Sequence, residues 1–149
     1  MGEVSLLKDK NYAPKNLGEV WLELGSRFGY HEDIVYSMSF EGSKGNKQMN
    51  DLMDKLRKDP FIKIDSIFVT KVEDYLKQEI HENNGVLPLN LPKSNLIKLY
   101  FNDGSTIAIR PSGTEPKVKF YFGVIDKELE KAKSKPKILF DSLKNILGI

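Results

Sequence analysis

One short segment near the C-terminal end of the chain combines residue types that bind anions. It reads Arg110-Pro111-Ser112-Gly113-Thr114-Glu115-Pro116-Lys117. The Arg110 guanidinium can bind two phosphate oxygens at once, and the Ser112 and Thr114 hydroxyls are further donors. Gly113 lets the main chain approach a ligand and present its N–H groups, while two prolines limit the freedom of the segment. We predict a preshaped phosphate-binding loop in which the amides of residues 112–114 converge on a point that Arg110 reaches; a solvated surface turn is the alternative.

Two strands lead into this segment. Residues 96–101 and 105–109 alternate in polarity and flank the turn at residues 102–104. A two-residue turn would mix polar and apolar side chains on one face, whereas a three-residue turn collects the aliphatic ones on a single face. The second arrangement gives the pairs Ile97–Ile109, Leu99–Ile107 and Phe101–Ser105. It requires Gly104 at positive φ, and it places Arg110 on the opposite, polar face.

A third strand is predicted directly after the segment. Its apolar residues alternate with more polar ones from Lys117 onward, as Val118, Phe120, Phe122 and Val124 against Lys117, Lys119, Tyr121 and Gly123. Because successive side chains of a strand point to opposite faces, Lys117 and Lys119 share the polar face with Arg110. Both lysines are therefore candidate supporting cations for a bound phosphate.

The middle of the chain is predicted to contain one helix and short extended pieces. An apolar stripe predicts a helix that ends at Asp59-Pro60, and its members are Met49, Leu52, Met53 and Leu56. Residues 34–40 alternate in polarity and indicate a strand or an extended linker, and residues 62–69 indicate strand content. Residues 70–93 are polar and contain Asn, Gly and Pro, so we predict a loop there.

Helices are also predicted towards both ends. Residues 17–28 carry one apolar face with a tryptophan, and the chain from Asp126 onward is helical in pattern. Pro136 either kinks this last helix or lies in a new helix that Ser134 caps near Lys135. Together these elements predict an α+β fold: an antiparallel sheet of three to four strands with helices packed on one face.

Composition excludes several classes of function. The chain has 149 residues, 40% of them hydrophobic, which suffices for one globular domain or one domain plus part of a neighbour. It has no cysteine and no apolar run of membrane-spanning length, so we expect neither thiolate chemistry nor a membrane partner, and a cytoplasmic location. Residues 1–90 hold 12 basic and 15 acidic side chains, whereas residues 91–149 hold 11 and 6. This excess favours anionic ligands in the C-terminal part and is too mild to indicate nucleic acid.

Residues 110–121 resemble a motif of the C-terminal domain of the α-D-phosphohexomutases, in particular those of the phosphoglucomutase/phosphomannomutase type. Residues 91–95, 72–76 and 40–60 are similar to other parts of the same family, and the helix at 17–28 resembles the last helix of its third domain. The resemblance implies that residues 1–40 hold that last helix and a linker. Residues 41–149 would then be the C-terminal phosphate-binding domain of a four-domain enzyme.

The resemblance also implies a reaction and a role for the loop. Members of the family interconvert hexose 1-phosphates and hexose 6-phosphates through a phosphoserine, with Mg²⁺, and their fourth domain holds the non-reacting phosphate of the sugar. The implied ligands of that phosphate are Arg110, Ser112, Gly113 and Thr114, with Lys117 and Lys119 in support. The family's phosphoserine, magnesium and sugar-binding loops have no counterpart in this sequence. We therefore expect no catalytic residue and no metal ligand here, a need for the N-terminal domains as partners, and no activity of this chain alone.

Two other interpretations compete with the phosphosugar one. Glu41-Gly42-Ser43-Lys44-Gly45 could be a phosphate loop, but it lacks full P-loop spacing and is more simply a helix-initiating turn. The aromatic residues of the strands could stack on bases, but their alternation assigns Phe101, Phe120 and Phe122 to the core. The second candidate function is therefore a free-standing anion- or nucleic-acid-binding module, whose binding would fall steeply with salt.

Overall fold

The computed structural model describes residues 29–149. The helix predicted at 17–28 lies outside these residues. The described part contains eight strands and two helices: β1 (Tyr30–Ser39), α1 (Gly45–Lys58), β2 (Lys63–Ile64), β3 (Ile67–Asp74), β4 (Glu79–Glu82), β5 (Gly85–Pro88), β6 (Ile97–Phe101), β7 (Thr106–Pro111), β8 (Lys117–Asp126) and α2 (Leu129–Leu147). Neither helix in this part of the chain is long and apolar enough to cross a membrane.

The strands form one antiparallel sheet in the order β1-β8-β7-β6-β3-β4-β5, with β2 pairing to β3 outside this path. The predicted α+β class is thus confirmed, but the sheet has more strands than the three to four expected. The linker alternative for residues 34–40 is not needed, because β1 pairs with β8 over ten residue positions.

The prediction of a loop at 70–93 is wrong, and it accounts for most of the missing strands. Residues 67–74, 79–82 and 85–88 are all strand. β4 and β5 form a hairpin around Asn83 and Asn84 at the edge of the sheet. Their side chains are half-buried or exposed, so no apolar alternation marks them. Pro88 ends the last edge strand, where proline is tolerated.

The hairpin that precedes the candidate loop has the predicted register. Ile97 pairs with Ile109 and Leu99 with Ile107, and the Phe101 amide donates to the Ser105 carbonyl at 2.9 Å. Gly104 has φ +91°. A one-residue slip would move every aliphatic side chain to the other face, so burial of this set selects the three-residue turn.

One face of the sheet is covered by both helices and forms the core. The inward side chains of β6, β7 and β8 are fully buried or nearly so. They pack with the apolar stripe of α1, which is buried as predicted, and with the inner side of α2. The buried residues are Met49, Leu52, Met53 and Leu56 of α1 and Leu139, Phe140, Leu143 and Leu147 of α2. We call the opposite side of the sheet the open face. It carries the more polar side chains of the same strands.

Helix α2 runs without a break through Pro136, so the alternative of a new helix near Lys135 is wrong. The Ser134 hydroxyl donates to the Lys131 carbonyl within the helix at 3.3 Å and does not cap. Proline removes one helical hydrogen bond. The Pro136 ring is buried, and this burial offsets the loss.

Candidate phosphate-binding site

The candidate loop joins β7 to β8, and the two strands hold its ends. Arg110 lies directly opposite Lys119, and Pro111 opposite Val118. Pro111 and Val118 are buried in the core, whereas Arg110 and Lys119 are exposed on the open face. Alternation along both strands therefore places the two cations on the same face, as predicted, and the register puts them side by side at the base of the loop.

The loop is shaped by its own hydrogen bonds. The Ser112 amide donates to the Lys117 carbonyl at 2.7 Å, and the Lys117 amide donates to the Glu115 carbonyl at 2.8 Å. The Ser112 hydroxyl oxygen accepts from the amides of Thr114 and Glu115, both at 3.3 Å. The expected convergence of the amides of residues 112–114 is therefore wrong. Within residues 29–149, only the Gly113 amide of these three has no hydrogen-bond partner.

Contacts with Phe40 and Gly45 also hold the base of the loop in place. The Phe40 amide donates to the Pro116 carbonyl at 2.7 Å. Gly45, the first residue of α1, packs against both of these residues, and a Cβ at Gly45 would overlap the Phe40 carbonyl oxygen and lie 3.2 Å from Pro116 Cβ. Gly45 therefore allows α1 to pack closely against Phe40 and Pro116. Its amide donates to the Gly42 carbonyl at 3.1 Å.

The structure brings four of the six predicted ligands around one pocket of about 210 Å³. The pocket is lined by Arg110, Ser112, Gly113 and Lys119, together with Pro111 and Tyr121. Thr114 lies beside it, with its hydroxyl 3.4 Å from that of Ser112. Lys117 does not line the pocket. Its Nζ lies 3.9 Å from Glu115 Oε2. Tyr121 was not among the predicted ligands, although its place two residues after Lys119 puts it on the same face.

The pocket is positively charged. Neither Arg110 nor Lys119 has an ion-pair partner among the described residues, and no carboxylate lines the pocket. No group of three or more His, Asp or Glu side chains in residues 29–149 can hold a metal ion. Such an arrangement is suited to hold an anion through fixed charges and hydrogen bonds.

The rest of the open face does not support base stacking. Phe101, Phe120 and Phe122 are 4%, 0% and 2% exposed, as the alternation indicated. Tyr100 and Tyr121 are partly accessible on this side of the strands, and Phe68 on β3 is 45% exposed. A row of adjacent exposed aromatic rings, which single-stranded nucleic acids need, is absent from the described part of the chain.

These features define a class: an α+β domain with a positively charged hairpin loop. Comparison with known proteins identifies the family. Residues 46–133 match the family described as phosphoglucomutase/phosphomannomutase, C-terminal domain. The chain belongs to this family.

Similar proteins agree with this assignment. A phosphoglucomutase of Staphylococcus aureus (strain bovine RF122 / ET3-1) is 39% identical over 109 residues, which is 72% of this chain and 20% of that protein. One of Staphylococcus haemolyticus (strain JCSC1435) is 41% identical over 122 residues, or 80% of this chain and 22% of that protein. The chain thus spans about a fifth of these relatives.

The fold is also similar to a solved structure. The open form of pp63/parafusin, a phosphoglucomutase from Paramecium, covers 93% of this chain, and the match takes up 24% of that structure. The TM-score is 0.52 and the sequence identity is 19%. At this identity the likeness concerns the fold alone.

Proposed function

We propose that this domain holds the phosphate group of a phosphosugar for a phosphohexomutase that interconverts hexose 1-phosphate and hexose 6-phosphate. The observation that carries the proposal is the pair of adjacent cations, Arg110 and Lys119, which share one pocket with a loop of hydroxyls and a free amide. Membership of the phosphoglucomutase/phosphomannomutase family supports phosphosugars as the ligand class.

Each residue has a distinct task in this proposal. Arg110 donates two parallel hydrogen bonds to phosphate oxygens, and Lys119 supplies a second charge next to it. The Gly113 amide and the Ser112 and Thr114 hydroxyls provide uncharged donors. Lys117 acts at longer range, because it shares its charge with Glu115. The site positions the substrate and stabilises charge, and it carries no covalent step.

The remaining parts of the reaction belong outside the described residues. We propose that the missing N-terminal domains supply the phosphoserine, the sugar-binding loop and the ligands of Mg²⁺, since residues 29–149 contain no group fitted to hold a metal. Residues 1–40 would contain the end of the preceding domain and the connection, whose strand β1 joins the sheet of the domain at 41–149. The enzyme would act in the cytoplasm.

Nuclear magnetic resonance titration of the 149-residue chain tests the phosphate site. Inorganic phosphate or glucose 6-phosphate should shift the amide signals of residues 112–114, with weak affinity. Lys119→Gln should weaken binding, whereas Lys47→Gln, which removes an exposed lysine of α1, should not. Shifts centred on Lys44 and Gly45, or stronger binding of an oligonucleotide than of a phosphosugar, would contradict the proposal.

Kinetics of the full-length enzyme test the role of Arg110. Arg110→Lys keeps the charge but loses the planar donor pair. The value of kcat/KM should therefore fall by an amount that corresponds to a loss of about 1–3 kcal/mol of transition-state stabilisation. Unchanged kinetics would show that the substrate phosphate binds elsewhere.

A further inference from the structure

Tyr121 lines the phosphate pocket but has no task in the proposed function. The rest of the lining consists of residues 110–113 and Lys119, so Tyr121 is the aromatic member of an otherwise cationic and loop-formed site. The residue is 39% exposed. A ligand that enters the pocket from solvent can therefore reach its side chain.

The register of the strands places Tyr121 next to the two cations. Arg110 lies opposite Lys119, and Ala108 lies opposite Tyr121, with all four residues on the open face. Tyr121 is thus the diagonal neighbour of Arg110. Diagonal positions of an antiparallel pair are about 7–8 Å apart, a distance that aromatic and long side chains can span. The loop bounds the pocket at one end of the cation pair, and Tyr121 bounds it at the other end.

The hydroxyl of Tyr121 is not engaged by another part of the domain. It has no hydrogen-bond partner among residues 29–149. Its two cross-strand neighbours are Ala108 and Val35, whose side chains contain no polar atom. Tyr100, on the same face, differs in this respect, because its hydroxyl donates to the Glu73 carboxylate at 2.6 Å. The O–H group of Tyr121 therefore remains available to a ligand.

We propose that Tyr121 is a further ligand of the phosphate, and that its hydroxyl donates a hydrogen bond to a phosphate oxygen on the side away from the loop. The inference rests on the proposed function and adds one residue to it. A tyrosine hydroxyl supplies one O–H donor, and a charged phosphate oxygen is a strong acceptor for it.

An uncharged donor at this position has a specific advantage. Arg110 and Lys119 already repel each other across the strand pair, and a third cation beside them would increase that repulsion. The Tyr121 hydroxyl adds a donor without adding a charge. With the loop at one end, the cations at the base and Tyr121 at the other end, the phosphate is held from three directions and does not slide along the strands.

Removal of one hydroxyl tests this inference. Tyr121→Phe deletes the O–H group and keeps the ring. In titrations of the 149-residue chain with methyl phosphate, this variant should raise the dissociation constant about threefold to tenfold, which corresponds to one net hydrogen bond. The matched control is Tyr36→Phe, which makes the same change on the core side of β1, where the ring stacks on Phe140. This control should bind methyl phosphate as the wild type does.

The possible results separate the inference from the function on which it rests. Equal affinity of Tyr121→Phe and the wild type would overturn the role of Tyr121 and leave the phosphate site intact. Failure of the wild type to bind methyl phosphate would overturn the proposed function and the inference with it.

Two further measurements test whether the contact is direct. The nuclear magnetic resonance signals of the Tyr121 ring should shift as methyl phosphate is added, whereas those of the Tyr36 ring should not. The loss of affinity in Tyr121→Phe should be the same at low and high salt, because the hydroxyl carries no charge. The loss in Lys119→Gln should shrink with salt, because ions screen a contact between charges. Ring signals that stay in place, or a Tyr121→Phe effect that disappears at high salt, would overturn the hydrogen bond.

Discussion

An ion pair joins the β6–β7 turn to helix α2, and its removal should destabilise the domain measurably. Lys135 Nζ lies 2.5 Å from Asp103 Oδ2 and 3.8 Å from Asp126 Oδ2, and it donates to the Ile125 carbonyl at 3.3 Å. The side chains of Asp103 and Lys135 are 20% and 19% exposed. Asp103 also accepts from the amide and the hydroxyl of the buried Ser105. One carboxylate thus holds the turn together and attaches it to the helix.

The magnitude follows from these contacts. Asp103→Asn keeps an oxygen for the Ser105 amide but removes the charge that Lys135 faces. A hydrogen bond between charged groups contributes about 1.5–3 kcal/mol, and Asp126 remains as a weaker partner for the lysine. We expect the free energy of unfolding to fall by about 1–2 kcal/mol. Lys135→Met should have a similar effect, and the double variant should show a coupling energy of roughly 1 kcal/mol.

The effect should depend on pH in a defined direction. Burial raises the pKa of Asp103, but the hydrogen bonds from Lys135 and Ser105 lower it by a larger amount. The pKa therefore lies below its ordinary value of 3.8. A carboxylate with a lowered pKa stabilises the fold above that ordinary value and loses this contribution as the pH falls through the folded-state pKa. The difference between the wild type and Asp103→Asn should be full at pH 7 and shrink below about pH 4.

Urea unfolding followed by circular dichroism measures this difference without adding salt that screens the charges. The control is Asp51→Asn, which removes an exposed carboxylate paired with Lys47 on α1 at 3.3 Å and should change stability by less than about 0.5 kcal/mol. Equal stability of Asp103→Asn and the wild type at pH 7, or a difference that does not shrink as the pH falls below about 4, would refute the reasoning.

Three further predictions concern the hairpin, the cation pair and activity. Gly104→Val should lower the free energy of unfolding by roughly 1–2 kcal/mol, because φ is +91° and the new Cβ would lie 3.2 Å from Ile125; an unchanged urea midpoint would contradict the assigned turn. Lys119→Gln should raise Tm by about 1–3 °C at low salt by relieving repulsion from Arg110, with no gain at high salt. The 149-residue chain should show no mutase turnover at any Mg²⁺ concentration in a coupled assay, and measurable conversion of glucose 1-phosphate would refute this.

The elements that alternation marks clearly were predictable from the sequence. In β6, β7 and β8 every second side chain is buried, so the pattern gives the strands, their register and the face that carries Arg110 and Lys119. In β4 and β5 the side chains are half-buried or exposed. There the strand pairing comes from backbone hydrogen bonds to neighbours distant in sequence, and a local pattern does not contain that information.

The site was predictable to a similar degree. Residue types and alternation predicted that Arg110 and Lys119 lie on the same face of the sheet, next to the loop. They did not reveal that the Ser112 hydroxyl accepts the amides of Thr114 and Glu115, because a serine in such a loop can serve the backbone or the ligand equally well.

The organisation of the loop suggests how the site gains its affinity. Arg110 and Lys119 repel each other across the strand pair, and no acidic group among residues 29–149 neutralises either of them. Most loop amides are satisfied internally, so the loop keeps its shape without a ligand and little ordering is needed when one binds. A phosphate dianion removes the repulsion between the two cations, and this relief adds to the binding energy. If the site holds a phosphate as proposed, its affinity should therefore rise with the charge of the phosphate, and a monoanion should bind more weakly than a dianion.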